Sequence, residues 1–244
     1  MAPSPAPLAA LIFDVDGTLA DTERDGHRVA FNQAFESAGL DWHWSVEQYG
    51  ALLAVTGGKE RIRHFLESFH PERLAEPDCD ALIATLHRAK TEAYRALVTG
   101  GGLPLRPGVA RLLAEARAAG LRLAIATTTT PDNVTVLLEH SKAPGASGAF
   151  EVIGAGDVVP AKKPAPDIYR WALERLGLPA TACLAIEDSD NGLRAARGAG
   201  LATVITANDY TRGQDFSGAV AVLPDLAGTT LADLQRWHRD AAAG

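Results

Sequence analysis

Three short apolar runs, each ending abruptly in polar side chains, constrain this chain more than any other feature. Leu11-Ile-Phe13 leads into Asp14-Val-Asp16-Gly-Thr18, Leu121 to Ala126 into Thr127-Thr-Thr-Thr130, and Ala182 to Ile186 into Glu187-Asp188-Ser189. Apolar runs this short fit fully buried strands, and strands of that kind belong to parallel sheets covered on both faces. In a parallel sheet every carboxyl-terminal strand end opens on the same edge, where α/β proteins bind their ligands. The three polar ends are therefore expected to meet.

The order of elements supports such a sheet. Beyond Pro107 helix and strand alternate: a helix from about Gly108 to Ala119, the Leu121 run, a helix from Pro131 to His140, a strand at Phe150 to Ile153, and a helix from Pro166 to Leu176. The Ala182 run, a helix from Asp190 to Ala199, strands at Ala202 to Thr206 and Ala219 to Leu223, and a last helix at about Leu231 to His238 complete the series. Alternation of this kind predicts a doubly wound α/β domain.

The stretch between the first run and Pro107 is different. Thr22 with Asp25 predicts a capped helix start, and His27, Phe31, Ala34, Phe35 and Ala38 recur at helical spacing before Gly39. Val46 to Leu53, Glu60 to Phe69 and Ala81 to Leu97 each present one apolar face, and Gly100-Gly-Gly102 closes the stretch. The expected organisation is a Rossmann-like parallel-sheet core over residues 8–20 and 103–238, a small inserted helical cap over 21–102, and disordered ends at 1–7 and 239–244. Trp42 and Trp44 are expected to pack inside the cap.

Composition narrows the function. At 244 residues and 47% hydrophobic the chain can bury a substantial core. With 30 acidic residues against 23 basic ones and no dense basic run, nucleic acid is not an expected partner. Cys79 and Cys183 have neither metal-site nor disulfide-framework spacing. The proline-interrupted amino terminus lacks a signal-peptide pattern, and no apolar stretch is long enough to span a membrane. A soluble, cytoplasmic, monomeric protein is expected.

Convergence of Asp14, Asp16, Glu187 and Asp188 would bring four carboxylates together, and these repel unless a cation lies among them. Hard oxygen ligands with room for water suit Mg²⁺. Lys163, in Lys162-Lys163-Pro164, adds a fixed positive charge, and Thr127, with Thr128 beside it, offers a hydroxyl and amides to a phosphate oxygen. Thr127 could equally favour the strand or cap the next helix. The set fits phosphoryl transfer to a carboxylate.

These residues stand in the order and context of the four motifs of haloacid dehalogenase-type phosphohydrolases, which the chain resembles from about Ala10 to Leu223. The resemblance implies that Asp14 is the nucleophile that becomes an aspartyl phosphate and that Asp16 is the acid and then the base. It further implies that Thr127 and Lys163 hold the phosphate, and that Asp188, Asp14 and the main-chain carbonyl of Asp16 bind Mg²⁺ with Glu187 behind them. The insertion is similar to the cap of the β-phosphoglucomutase-like subgroup. Its segments Asp21-Thr-Glu23-Arg-Asp-Gly-His27 and Gly57-Gly-Lys59-Glu-Arg61 resemble those of CbbY-type phosphatases, for which the implied reaction is hydrolysis of the Rubisco inhibitor xylulose 1,5-bisphosphate.

A bisphosphate needs a second cationic site, for which Lys59 and Lys90 are the candidates and Arg61 a weaker one. Glu23 and His27 are candidates for sugar hydroxyls, against an equal expectation of capping and pairing with Arg24 or Arg28. A sugar-phosphate mutase shares all four motifs and is the alternative; a non-catalytic binding module is a second. The kinase P-loop pattern is absent, since Gly58-Lys59 is followed by Glu60.

Overall fold

A computed structural model of the protein describes residues 6–55, 57–141, 143 and 145–243. Of the ends expected to be disordered, residues 1–5 and 244 lie outside these. Strand β1 (Ala10–Phe13) opens the chain. A π-helical turn at Thr22–His27 and five helices follow: α1 (Arg28–Ser37), α2 (Val46–Leu52), α3 (Gly58–Phe69), α4 (Pro71–Leu74) and α5 (Cys79–Thr99). Then come α6 (Val109–Ala118), β2 (Arg122–Ala126), α7 (Pro131–His140), β3 (Val152–Gly154), α8 (Asp167–Leu176), β4 (Cys183–Glu187), α9 (Asp190–Gly198), β5 (Ala202–Thr206), β6 (Ala221–Leu223) and α10 (Leu231–Ala243). Two compact units result, one from residues up to Asp21 together with those from Leu103 onward, the other Thr22–Gly102.

The first unit is a six-stranded sheet in the order β3-β2-β1-β4-β5-β6, parallel throughout. Alternation along the strands explains how both faces are covered. Ala10, Ile12, Ala124, Ala126 and Ala185 pack against Ile168, Tyr169 and Ala172 of α8 and Ala195 and Ala196 of α9. Four of those five strand residues are alanines, which let the helices approach closely. Their neighbours Leu11, Phe13, Leu123, Ile125, Leu184 and Ile186 are fully buried toward the opposite face. A sheet buried on both sides accounts for the unbroken apolar runs of the sequence.

The inserted unit is held by an aromatic core. Phe31, Phe35, Trp44, Tyr49 and Phe65 meet ring against ring, with Trp42 at the edge of the group beside His70. The expectation that Trp42 and Trp44 pack rather than face solvent holds, at 8% and 0% exposure.

Two expectations change. Thr22 does not cap an α-helix: it lies buried inside the wide turn Thr22–His27, with Gly26 also buried there, and α1 begins only at Arg28. Residues 239–243, expected to be disordered, continue α10. Alanine is the strongest helix former, and His238 anchors that helix by donating from Nε2 to the Thr181 carbonyl at 3.0 Å. Both cysteines are buried and free. Among the described residues no helix is long and apolar enough to cross a membrane.

Candidate active site

Strand register brings the site together. Phe13 pairs with Ile125 on one side and Ile186 on the other, so the next residues, Asp14 and Glu187, stand side by side at the carboxyl edge of the sheet. The Asp14 amide still donates to the Ile186 carbonyl at 3.0 Å, which fixes the direction in which its side chain departs. The chain then turns sharply. The Thr18, Leu19 and Ala20 amides all converge on the Val15 carbonyl, and Gly17 adopts φ +84°. A side chain at Gly17 would be strained by that angle and would strike the Asp188 carboxylate, 2.3 Å from the place of a Cβ.

Lys163 lies at the centre. Its ammonium donates to Asp14 Oδ1 at 2.6 Å and to Glu187 Oε1 at 2.5 Å. Tyr169 donates its hydroxyl to the same Glu187 oxygen at 2.5 Å, and the lysine nitrogen stands 5.2 Å from the Tyr169 ring centre. Asp188 donates its amide to Glu187 Oε2, and Asn208 donates to Asp188 Oδ2 at 2.7 Å. Oxygens of Asp14, Glu187 and Asp188 come within 4.8 Å of one another, all three residues buried. The Asp16 carboxylate is not one of that group.

The electrostatics follow from burial. Asp14 is pushed well above the usual carboxylate range, first by burial and then by Glu187, Asp188 and Asp16, with Lys163 opposing. Burial, with Glu187, raises Asp188 to about 7 against the pull of Asn208, Lys163 and Arg106. For Lys163 burial disfavours the charge, but Asp14 and Glu187 outweigh it and hold the ammonium firmly protonated. Three buried carboxylates thus share one lysine. A cation bound among them would relieve the imbalance, and an all-oxygen donor set suits a hard divalent ion.

Thr127 is buried directly after β2, and its Oγ1 accepts from the Thr129 amide at 3.2 Å. The capping role that might have explained it belongs instead to Thr130, which accepts from the Asn133 amide. Thr128 is exposed. Lys162 pairs with Asp157 at 2.6 Å and takes no part in the cluster.

Three residues were not evident beforehand. Tyr169 gives no sequence signal, since it reads as one more apolar position of α8. Asn208 follows β5 and could have been found by asking which polar residues succeed each strand. Arg106 reads as part of a Pro/Gly-rich turn, yet it is 8% exposed and binds the carbonyls of Gly17, Thr206 (2.8 Å), Ala207 and Pro224 (2.8 Å) as well as Asp21 Oδ1 (3.2 Å). It ties the turn after Asp14 to the ends of β5 and β6.

Within the inserted unit the candidate side chains form two groups. Tyr49 donates to Glu23 Oε2 at 2.5 Å and receives a hydrogen bond from Arg61 Nη1 at 2.8 Å. Arg61 is buried and also donates to the Leu52 and Val55 carbonyls, so it is a structural residue and not a site for a distal phosphate. Tyr49→Phe would strand a buried guanidinium donor and release Glu23. The expected cost is about 1–3 kcal/mol, read as a lower urea midpoint, and an unchanged midpoint would contradict this account. In the second group Lys90 Nζ lies 3.0 Å from His27 Nδ1. Lys59 is exposed in the first turn of α3.

Comparison with known proteins places the geometry in context. Residues 8–200 match the haloacid dehalogenase-like hydrolase family. Protein CbbY of Rhodobacter capsulatus is 55% identical over 220 residues, 90% of this chain and 94% of the relative. The crystal structure of CbbY from Rhodobacter sphaeroides in complex with phosphate has a TM-score of 0.75 at 49% identity, covering 93% of this chain and 99% of that one. A mutant of the same protein in complex with xylulose-(1,5)bisphosphate gives 0.75 at 48% identity with the same coverage.

Proposed function

Because the chain belongs to the haloacid dehalogenase-like hydrolases and is a phosphatase of that family, we propose that it removes one phosphate from xylulose 1,5-bisphosphate, through an aspartyl-phosphate intermediate on Asp14. The observation that carries this reading is Lys163, its side chain 8% exposed, held between Asp14 and Glu187. It leaves Asp14 pinned by one oxygen at the carboxyl edge of the sheet, with like charges around it that favour a bound cation. The bisphosphate is supported by the relative crystallised with that compound.

Asp14 attacks phosphorus, and the bond from phosphorus to the sugar oxygen breaks. Asp16 gives its proton to that oxygen, releasing the sugar monophosphate. Asp16, now a base, takes a proton from water, whose oxygen attacks the aspartyl phosphate, releasing inorganic phosphate and restoring Asp14. Lys163 and Thr127, with Thr128 at the rim, hold the phosphoryl oxygens. Asp14, Asp188 and the Asp16 carbonyl, with Glu187 behind them, would hold Mg²⁺, which would neutralise charge on the transferring group. Lys59 serves the distal phosphate, while Glu23 and His27 address the sugar hydroxyls. Such an enzyme clears an inhibitor of Rubisco and works in the cytoplasm.

The test is phosphate release from a panel of xylulose 1,5-bisphosphate, ribulose 1,5-bisphosphate and glucose 1-phosphate, with Mg²⁺ or with EDTA. Selective release from the xylulose compound, abolished by EDTA, is expected. Conversion of glucose 1-phosphate to an isomer without phosphate release would replace this reading with that of a mutase.

A further inference from the structure

Tyr169 is fully buried on the face of α8 that packs against the sheet, among apolar residues, where a hydroxyl is costly unless it has a partner. Its partner is Glu187. The phenol donates to Glu187 Oε1 at 2.5 Å, a short charge-assisted bond. Burial, with Glu187 and Asp14 nearby, raises the phenol far above its ordinary range, so the proton stays on the tyrosine.

Both oxygens of that carboxylate are committed. Oε1 accepts from Tyr169 and from Lys163, and Oε2 accepts from the Asp188 amide at 3.2 Å. Gly192 of α9 lies against the same group: a Cβ there would stand 2.0 Å from Oε2, so a larger residue would push the carboxylate aside. Held at both oxygens, Glu187 cannot turn about its last bond, and the place of Oε1 sets the place of the lysine ammonium.

An ammonium carries three N–H groups. Lys163 uses two of them, on Asp14 Oδ1 at 2.6 Å and on Glu187 Oε1 at 2.5 Å, and with two directions set the third is set as well. The Tyr169 ring, its centre 5.2 Å from the nitrogen, bounds the ammonium on a further side. We infer that Tyr169 is a positioning residue for Lys163: by fixing Glu187 Oε1, its hydroxyl aims the third ammonium N–H at an oxygen of the phosphoryl group being transferred. That aim rests on the transfer to Asp14 proposed above; the positioning of the lysine does not. A donor already oriented when charge develops on the phosphoryl oxygens need not reorganise during the reaction. Without the hydroxyl, carboxylate and ammonium can turn together and the third N–H loses its direction.

The experiment is a double-mutant cycle on phosphate release by the full-length chain, comparing the wild type, Tyr169→Phe, Lys163→Met and the variant carrying both exchanges. Tyr169→Phe keeps the ring and its packing, and is expected to lower kcat by about tenfold with KM little changed, the scale on which an orienting partner is felt. In the Lys163→Met background the same exchange should alter kcat by less than about twofold, because the group it acts through has gone. An equal loss in both backgrounds would overturn the inference, since a merely structural hydroxyl has no need of the lysine. So would a Tyr169→Phe enzyme with the wild-type kcat, a result that decides the matter even if Lys163→Met fails to fold. The chain without substrate gives a second reading. The Lys163 ammonium, identified by its loss in Lys163→Arg, is expected as a slowly exchanging ¹H–¹⁵N signal whose exchange quickens in Tyr169→Phe, and unchanged exchange would overturn the positioning role. If xylulose 1,5-bisphosphate is not hydrolysed, the cycle is read on whichever compound of the panel is. Quickened exchange in a chain that releases phosphate from none of them would remove the proposed transfer and leave the positioning of Lys163 standing.

Discussion

Asp14→Asn is expected to lower turnover by about four orders of magnitude or more, the scale on which removal of a catalytic nucleophile is felt, with the fold intact. The amide has the shape of the carboxylate but cannot attack phosphorus. Its effect on stability follows from the crowding. Asp14 loses its pair with Lys163 at 2.6 Å, but Glu187 and Asp188 lose a like-charged neighbour. The sign can be checked with pH. Asp14 and Asp188 are both raised in the folded chain, Asp188 to about 7, so the folded state holds more protons than the unfolded one above their ordinary range. Without a bound cation the wild type should therefore lose stability as pH rises from about 4 toward 7, and Asp14→Asn should flatten that loss. Phosphate release and urea midpoints at several pH values in EDTA decide the matter. Residual activity near the wild-type level would end the nucleophile assignment, and a midpoint that rises with pH would contradict the electrostatic account.

Lys163→Met should be damaging in a different way. It removes the one cation that both Asp14 and Glu187 accept from, leaving buried carboxylates facing each other. Breaking one side of a buried ion pair costs about 3–5 kcal/mol. Turnover should fall by about 10²–10³-fold as well, as when a preorganised donor to a developing oxyanion is lost. Acidification from pH 8 to pH 5 should recover part of the stability, because protonating the carboxylates removes the repulsion that the lysine had masked. A loss below about 1 kcal/mol at pH 8 would mean that Lys163 is not the charge that holds this cluster together.

Much of the core was legible because strand ends obey a simple rule. Strands β1, β2 and β4 run apolar to their carboxyl ends, so Asp14, Thr127 and Glu187 mark the edge where the candidate site forms. Lys163 could be read because it stands directly before a proline, between the second and the third polar strand ends, although Lys162 beside it carries the same charge. What could not be read depends on side chains meeting across the fold. Tyr169 orients Glu187 from a helix that begins 20 residues earlier in the chain than that carboxylate, and helical periodicity records only that Tyr169 faces inward. Arg106 meets oxygens of five residues scattered from Gly17 to Pro224, and no local pattern encodes such a convergence. In the insertion, Arg61 was a weaker candidate for the distal phosphate because its charge, near a glycine pair, gives no sign in the sequence of a buried partner. Its guanidinium is instead satisfied by two main-chain carbonyls and a tyrosine hydroxyl. The last helix was cut short because a run of terminal alanines carries no amphipathic signal, although its propensity is high.

The central place of β1 has a consequence for how the protein is born. Asp14 leaves the ribosome well before Lys163, which pins it and is made 149 residues later, and Glu187 follows another 24 after that. At about 5–20 residues per second, the nucleophile waits about 7–30 s for its lysine. By the time Lys163 is made the helical insertion is complete in sequence, whereas β1 still lacks the neighbour β4 on one flank. A nascent chain is therefore unable to assemble its carboxylate cluster until β4 has been made, and truncated products that expose an apolar β1 are the ones for which chaperones must compete.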